Sequence, residues 1–271
     1  MASNLLEENL TEVLQTAVER SSGDLWIMDP THRTVTAVID VATDADGDIP
    51  TVRMLADEQA LKTTFDDFLV ASRTADLIET GTLSLRTLNE TVANSLLIAD
   101  NEVFAVVTAG QQVAALTTDD DEFVDTTRET CDTRWKAAEQ FQLRTPPISE
   151  VRDTLGTEIG DGIRDDFDAV LASLDAARGD GDGLDEVTIS LLVAARNEVL
   201  LYDISKWGED VGIASKATFS RTKTKLEDTG LITTEKVPID VGRPRLRLQL
   251  ADDRLTEADL DEFADIAADI S

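Results

Sequence analysis

One stretch limits the folds open to this chain more than any other. Residues 203–248 read DISKWGEDVGIASKATFSRTKTKLEDTGLITTEKVPIDVGRPRLRL. The first part predicts a helix over Ile204–Val211 with Trp207 and Val211 turned inward. Gly212 supplies the left-handed residue on which helices commonly end, and Ser215 is of the type that caps the start of the next one. That second helix keeps Phe219 and Leu226 inward, seven positions apart, and stops at Gly230. Thr222 and Lys223 stand where an apolar residue is more usual. Two alternating runs, Ile232–Val237 and Arg245–Leu250, then predict a hairpin. A helix, a turn, a helix and a hairpin in this order form a winged helix-turn-helix, which lays its second helix in the DNA major groove.

The charge distribution sharpens that reading. The chain has 24 Lys+Arg against 55 Asp+Glu, a net charge of −31. Residues 1–183 hold 13 basic and 37 acidic residues, and 251–271 hold 1 and 8, whereas 184–250 hold 10 of each. Inside that neutral block the signs are sorted further. Lys216 to Lys225 contains Lys216, Arg221, Lys223 and Lys225 and no acid, and Arg243 to Arg247 contains three arginines and no acid. A protein that approaches phosphates concentrates positive charge in this way. The acid elsewhere has two readings, adaptation to saturating salt or a surface made for a basic partner. Its even spread favours salt adaptation, since uniform charge serves solubility.

The candidate DNA-contacting residues follow from these patches. On the second helix they are Ser215, Lys216, Thr218, Ser220, Arg221, Lys223 and Lys225. Short hydroxyls let a helix backbone approach the groove floor, and Arg or Lys pairs with guanine O6 and N7 or with phosphate. At the hairpin tip, Gly242 and Pro244 hold a stiff loop that presents Arg243 and Arg245. Such arginines suit a narrow minor groove, where the negative potential is deepest.

The rest of the chain reads as strands alternating with helices, then an antiparallel meander. Expected elements are a helix over 4–19, strands at 25–28 and 52–56, and a helix from Asp29-Pro30-Thr31 to about Ala42. A helical run over 57–80 breaks near Ala71, strands follow at 83–88, 95–99, 103–108 and 112–116, and Thr118 caps a helix to about Phe141. The meander turns at Asp100-Asn101 and Gly110. This order predicts an α/β domain with a mixed sheet. Thr145-Pro146-Pro147 marks a boundary, two helices follow at about 147–155 and 163–177, and Gly179–Gly183 is the clearest linker. A long apolar helix spans 184–197, and a tail helix spans 256–270, with Thr256 and Asp259 as a capping-box-like pair. The fold class is therefore α/β in the N-terminal region and α+β overall. It comprises an α/β sensor or dimerisation domain (1–145), a helical connector (146–183), a winged helix-turn-helix (184–250) and an acidic C-terminal helix (251–271).

Other signals carry little chemistry. One cysteine, Cys131, and one histidine, His32, leave no internal disulfide and no zinc site built on Cys or His, and no metal or other cofactor is expected. Cys131 reads as a packed or surface thiol. The run from Asp180 starts like a calcium loop but lacks its required acids and glycine. It reads as an acidic linker, and the loop Asp44–Asp48 fails in the same way. No nucleotide fingerprint or nucleophile motif occurs. His32 and Arg33 follow the end of the first strand of the α/β pattern, where open α/β sheets bind ligands; they are candidate ligands for an anionic effector, with a solvated helix start as the plainer reading. The helix pair at 147–177 is no second DNA reader, because Asp165, Asp166 and Asp168 crowd its second member. No apolar run approaches the roughly 18 residues of a membrane span, and MASNLLEENL has no signal-peptide core, so a soluble cytoplasmic protein is expected.

A family resemblance rests on the same residues. The stretch DFDAVLASLDAARGDGDGLDEVTISLLVAARNEVLLYDISKWGEDVGIASKATFSRTKTKLEDTGLITTEKVPIDVGRPRLRL, with SNLLEENL and LRTPPISEVRDTLG, resembles the haloarchaeal transcriptional regulators of the TbsP family. The resemblance covers most of the chain and is most specific in the C-terminal module. It implies a DNA-binding regulator from an archaeon that keeps high salt inside the cell, and it supplies no ligand residues.

The expectation is therefore a non-enzymatic regulator that binds double-stranded operator DNA at promoters, as a homodimer, in a repressing mode and with a small-molecule effector. The apolar helix 184–197 and the tail helix are the candidate dimer interfaces. Two other classes stay open: a winged-helix adaptor that binds protein instead of DNA, and an enzyme in the α/β domain tethered to DNA.

Overall fold

A computed structural model of the protein describes residues 5–7, 10–45, 49–88, 94–109, 112–176, 184–240, 242–260, 262–263 and 266–267. The expected linker at 179–183, the turn at Gly110 and the tail residue Ile270 lie outside these. The chain divides into two units, residues 1–143 and 144–271.

In the first unit the elements are β1 (Leu5–Glu7), α1 (Leu10–Glu19), β2 (Asp24–Met28), α2 (His32–Asp44), β3 (Thr51–Asp57), α3 (Glu58–Thr64), α4 (Phe68–Glu79), β4 (Leu83–Leu88), β5 (Leu96–Ile98), β6 (Val103–Ala109), β7 (Gln112–Thr118), α5 (Asp121–Ala137) and β8 (Glu139–Gln140). The strands form one mixed sheet in the order β1-β7-β6-β5-β2-β3-β4-β8. β2, β3 and β4 run parallel, as their helical crossovers require; the other pairings are antiparallel. Parallel strands covered on both faces need continuous apolar runs, and Leu25 to Met28 are all buried. One face packs against α1, α2 and α4 through Val13, Leu14, Ile39, Val70 and Phe104. The other carries α5 over Trp26, Met28, Leu55 and Ile98. There Trp26 meets Trp135 edge to face at 5.6 Å, and Cys131 is buried, its thiol pushed up to about 11 by desolvation.

Four boundaries differ from the sequence reading; one is that α5 ends at Ala137 instead of near Phe141, since Glu139 and Gln140 pair with β4. The helical run over 57–80 breaks at residues 65–67, not at Ala71: Asp67 caps α4 by accepting from the Val70 N–H at 3.0 Å, and Ala71 is fully buried within that helix. Asp120, not Thr118, caps α5, because Thr118 is still paired with Val103 at the end of β7. The first helix starts only at Leu10, since Leu5–Glu7 pairs with Val113–Ala115 of β7.

In the second unit the elements are α6 (Ile148–Glu158), α7 (Asp161–Ala176), α8 (Glu186–Arg196), α9 (Leu201–Asp210), α10 (Lys216–Asp228), β9 (Ile232–Val237), β10 (Arg245–Leu250) and α11 (Asp253–Glu257). α8 is the axis of this unit. Every residue from Val187 to Ala195 is buried, which accounts for its all-round apolar sequence. It therefore offers no free face to a second copy. The tail differs too. Asp252 caps α11, the Thr256 hydroxyl donates to the Asp252 carbonyl at 3.2 Å, and Ala258 leaves the helix, so Thr256 is no N-cap. Leu255, Phe263 and Ala267 are each 0% exposed, while Leu260 is half-buried, so part of the tail's apolar stripe is spent inside its own unit. Among the described residues no helix is long and apolar enough to cross a membrane, and no cluster of His, Cys, Asp and Glu could hold a metal ion.

Candidate nucleic-acid interface

The interface grows out of the joint between α9 and α10. Gly212 has φ 90°, and the Ile213 N–H donates to the Gly208 carbonyl at 2.8 Å. Ser215 Oγ then accepts from the Thr218 N–H at 3.2 Å and starts α10. Phe219 and Leu226 face inward, 0% and 3% exposed. Gly208 sets how close the two helices come: a Cβ there would lie 2.3 Å from the Phe219 ring. Sequence reasoning missed this residue. Its signal was a glycine inside a helix, which costs stability unless something packs where the side chain would be. Trp207, 1% exposed, donates from Nε1 to Thr154 Oγ1 at 3.0 Å and so fastens α9 to α6.

The hairpin of β9 and β10 pairs from Ile232↔Leu250 to Val237↔Arg245. A further contact, also missed from sequence, docks it: Leu200 bridges to Arg247, and the Leu248 N–H donates to the Val199 carbonyl at 2.9 Å. This one-residue third strand ties the hairpin to the residue that precedes α9.

The predicted DNA-facing residues fall into two groups. Ser215, Lys216, Ser220, Arg221 and Lys225 are exposed along α10, with Thr218 partly buried between them. Arg221 donates to Thr218 Oγ1 at 3.4 Å. Among the described residues, Arg221, Lys225 and the exposed wing residue Arg243 take part in no ion pair. Lys216 is paired with Glu209 of α9 at 2.6 Å. Arg245 donates to Asp203 Oδ1 at 3.2 Å, with its guanidinium 4.2 Å from the centre of the Tyr202 ring. Lys223 stands apart from the exposed face. Its side chain is 12% exposed and pairs with Glu227 at 2.6 Å, while Glu227 also accepts from Thr234 Oγ1 at 2.8 Å. A lysine can occupy the inward stripe because this carboxylate meets it there and braces α10 against β9.

In the first unit, His32 and Arg33 sit exposed in the first turn of α2. His32 Nδ1 lies 3.0 Å from Thr64 Oγ1, the first unit's link between α2 and α3 at this point. The neighbouring strand ends carry Asp29, at φ 47°, and Asp57. Partial burial and then the Asp57 charge hold the Asp29 carboxyl above its ordinary value.

Comparison with known proteins matches both units. A family profile described as the C-terminal HTH domain of TbsP-like transcriptional regulators covers residues 147–268, and one described as the TbsP-like N-terminal domain covers 2–146. No curated protein matches the sequence. Among solved structures, the archaeal chromatin protein TrmBL2 is 17% identical at a TM-score of 0.36 over 52% of this chain. The match spans about half of TrmBL2, 54% of its length. The phospholipase D family member Nuc from Salmonella typhimurium is 14% identical at 0.38, and NucT from Helicobacter pylori is 14% identical at 0.34. Each of these two matches covers 52% of this chain and 99% of the other.

Proposed function

The chain belongs to the TbsP-like transcriptional regulators, and on that premise we propose that it binds operator DNA at promoters through α10 and the β9–β10 wing. The observation that carries this reading is the exposed face of α10. In a chain of net charge −31, Arg221 and Lys225 stand there with no carboxylate partner among the described residues. α10 enters the major groove with Ser215, Thr218, Ser220, Arg221 and Lys225, and Arg243 at the wing tip reaches the adjacent minor groove. The module at 184–250 reads DNA, the helices at 146–183 connect it, and the α/β domain at 1–145 senses a metabolite, with His32 and Arg33 as the first residues to test. The bound regulator blocks transcription.

A single helix-turn-helix reads few base pairs, and dimers double the site; a homodimer is part of the reading. Since α8 is buried within the unit, the pairing surface lies elsewhere on the chain. Genome-wide mapping of bound DNA, followed by titration of the full chain against the mapped sites, tests the proposal. Enrichment of palindromic promoter sites supports it, and absence of duplex binding at any salt concentration overturns it in favour of the adaptor class.

The wing gives a finer expectation. Arg243→Ala should weaken binding about tenfold on operators flanked by A·T tracts, whose narrow minor grooves attract arginine, and less on G·C flanks. Fluorescence anisotropy on the two flank sets checks this. Equal losses would make Arg243 a plain phosphate contact.

A further inference from the structure

The cations of the DNA-facing surface differ in one respect that their sequence positions hide. Arg221, Lys225 and Arg243 are unpaired among the described residues, whereas Lys216 and Arg245 each meet a carboxylate from the same helix, α9. Glu209 binds Lys216 twice: its Oε2 accepts from Nζ at 2.6 Å and its Oε1 from the backbone N–H at 3.3 Å. The hydrogen bond from the Lys216 side chain holds the Glu209 carboxyl below its usual range. Asp203, near the other end of α9, binds Arg245, which the Tyr202 ring also supports from one side. All four side chains remain open to solvent, 43% and 44% for Glu209 and Lys216 and 41% and 37% for Asp203 and Arg245. Exposed pairs of this kind are individually weak. A backbone phosphate carries the same single negative charge as the carboxylate it would replace and likewise accepts charge-assisted hydrogen bonds from Lys and Arg.

We propose that Glu209 and Asp203 are internal counterions of the DNA interface, which hold Lys216 and Arg245 until backbone phosphate displaces them. The inference rests on the DNA-binding reading above and adds the residues that set its response to salt. An ordinary basic protein gains affinity from cations released by DNA, about 0.9 per phosphate neutralised. Here each exchange leaves a free carboxylate on the protein, and that carboxylate takes up a cation from solution. Release at the DNA and uptake at the protein oppose each other. The two paired cations therefore add little to the salt dependence of binding, which is left to Arg221, Lys225 and Arg243. At molar salt the Debye length is about 3 Å, so general repulsion between an acidic chain and DNA is screened, and the slope reports the local contacts.

The test uses the full chain and a mapped operator duplex, titrated from about 0.1 M to molar potassium chloride. Glu209→Gln and Asp203→Asn are compared with Asp161→Asn. The last removes the same charge from an acid of α7 that pairs with Arg164. Glu209→Gln should bind about three- to tenfold tighter at low salt, with a log–log salt slope steeper by about one, and should converge with wild type at high salt. Asp203→Asn should do the same through Arg245. The gain of Glu209→Gln should vanish when Lys216 is already alanine, which separates release of the paired lysine from simple loss of repulsion. A gain that persists without Lys216 overturns the exchange, as do variants that bind no tighter than Asp161→Asn. Weaker binding by Asp203→Asn would instead make Asp203 a residue that positions Arg245 for DNA, against the proposal. If wild type binds no duplex at any salt, the DNA-binding reading fails with it. If wild type binds with unaltered slopes in the variants, only the exchange fails.

Discussion

Replacing Trp207 with alanine should destabilise the 144–271 unit by about 3–5 kcal/mol, the range for truncating a large buried aromatic. Trp207 is 1% exposed and is among the largest fully buried side chains of the chain. It lies in α9 between the turn into α10 and the helices behind, and it carries the hydrogen bond to Thr154 on α6. Trp207→Phe should cost much less, about 1–2 kcal/mol, because it keeps most of the ring volume. It also leaves no orphan behind, since the Thr154 hydroxyl still donates to the Glu150 carbonyl at 2.7 Å. Denaturant unfolding followed by circular dichroism on the full chain measures both. Loss of operator binding by the alanine variant should track loss of folded protein. A Trp207→Ala variant within 1 kcal/mol of wild type would mean that α9 is held chiefly by other contacts.

Arg221→Ala should cost about 1–3 kcal/mol of operator affinity if the guanidinium reads a base, and much less on scrambled duplex. Arg221 is exposed midway along α10, where its contact to Thr218 Oγ1 steers it along the helix face. Lys223→Ala provides the contrast. Its ammonium is committed to Glu227 behind the helix, so that change should lower stability and leave the affinity of the folded protein nearly unaltered. Competition titrations with operator and scrambled DNA separate the two. Equal Arg221→Ala losses on both sequences would assign Arg221 to phosphate, and no loss would remove it from the interface.

The helix-turn-helix was legible because local chemistry specifies it. Ser215 is both a cap in sequence and a cap in structure, Gly212 and Gly230 take the positive φ their positions ask for, and Phe219 and Leu226 recur at helical spacing. Lys223 was not legible: its sequence position groups it with the DNA-facing cations, and only the structure pairs it with Glu227, four residues on along the same helix. Other features depend on contacts between elements and leave little local trace. Glu209 and Lys216 are joined across a turn whose course no periodicity reports. The Leu200–Arg247 bridge is too short to form a run. In the first unit β2 to β7 were visible one by one, but β1 and β8 lay inside expected helices, and the position of β5 between β6 and β2 was not legible. Strand order is set by which apolar faces meet in three dimensions. The break at 65–67 was missed because a capping aspartate within an acidic chain looks like any other aspartate.

The way α8 is enclosed decides where the chain can be cut. Its walls come from both sides of the sequence. Phe167, Val170 and Leu171 lie buried on α7, Asn197 at the end of α8 donates to Asp166 at 2.7 Å, and Arg196 beside it donates to the Ala258 carbonyl at 3.4 Å and lies over the Phe263 ring. A fragment limited to the reading helices and the wing, from about residue 180 to 250, would leave these apolar surfaces facing water and Trp207 without Thr154. It would behave as a sticky, partly folded peptide whatever its affinity for phosphate. A gene fragment meant to yield a soluble reading head has to begin near residue 144 and run through residue 267. Point changes deep in α7 should then weaken the DNA contact proposed for α10, with no side chain of α10 altered.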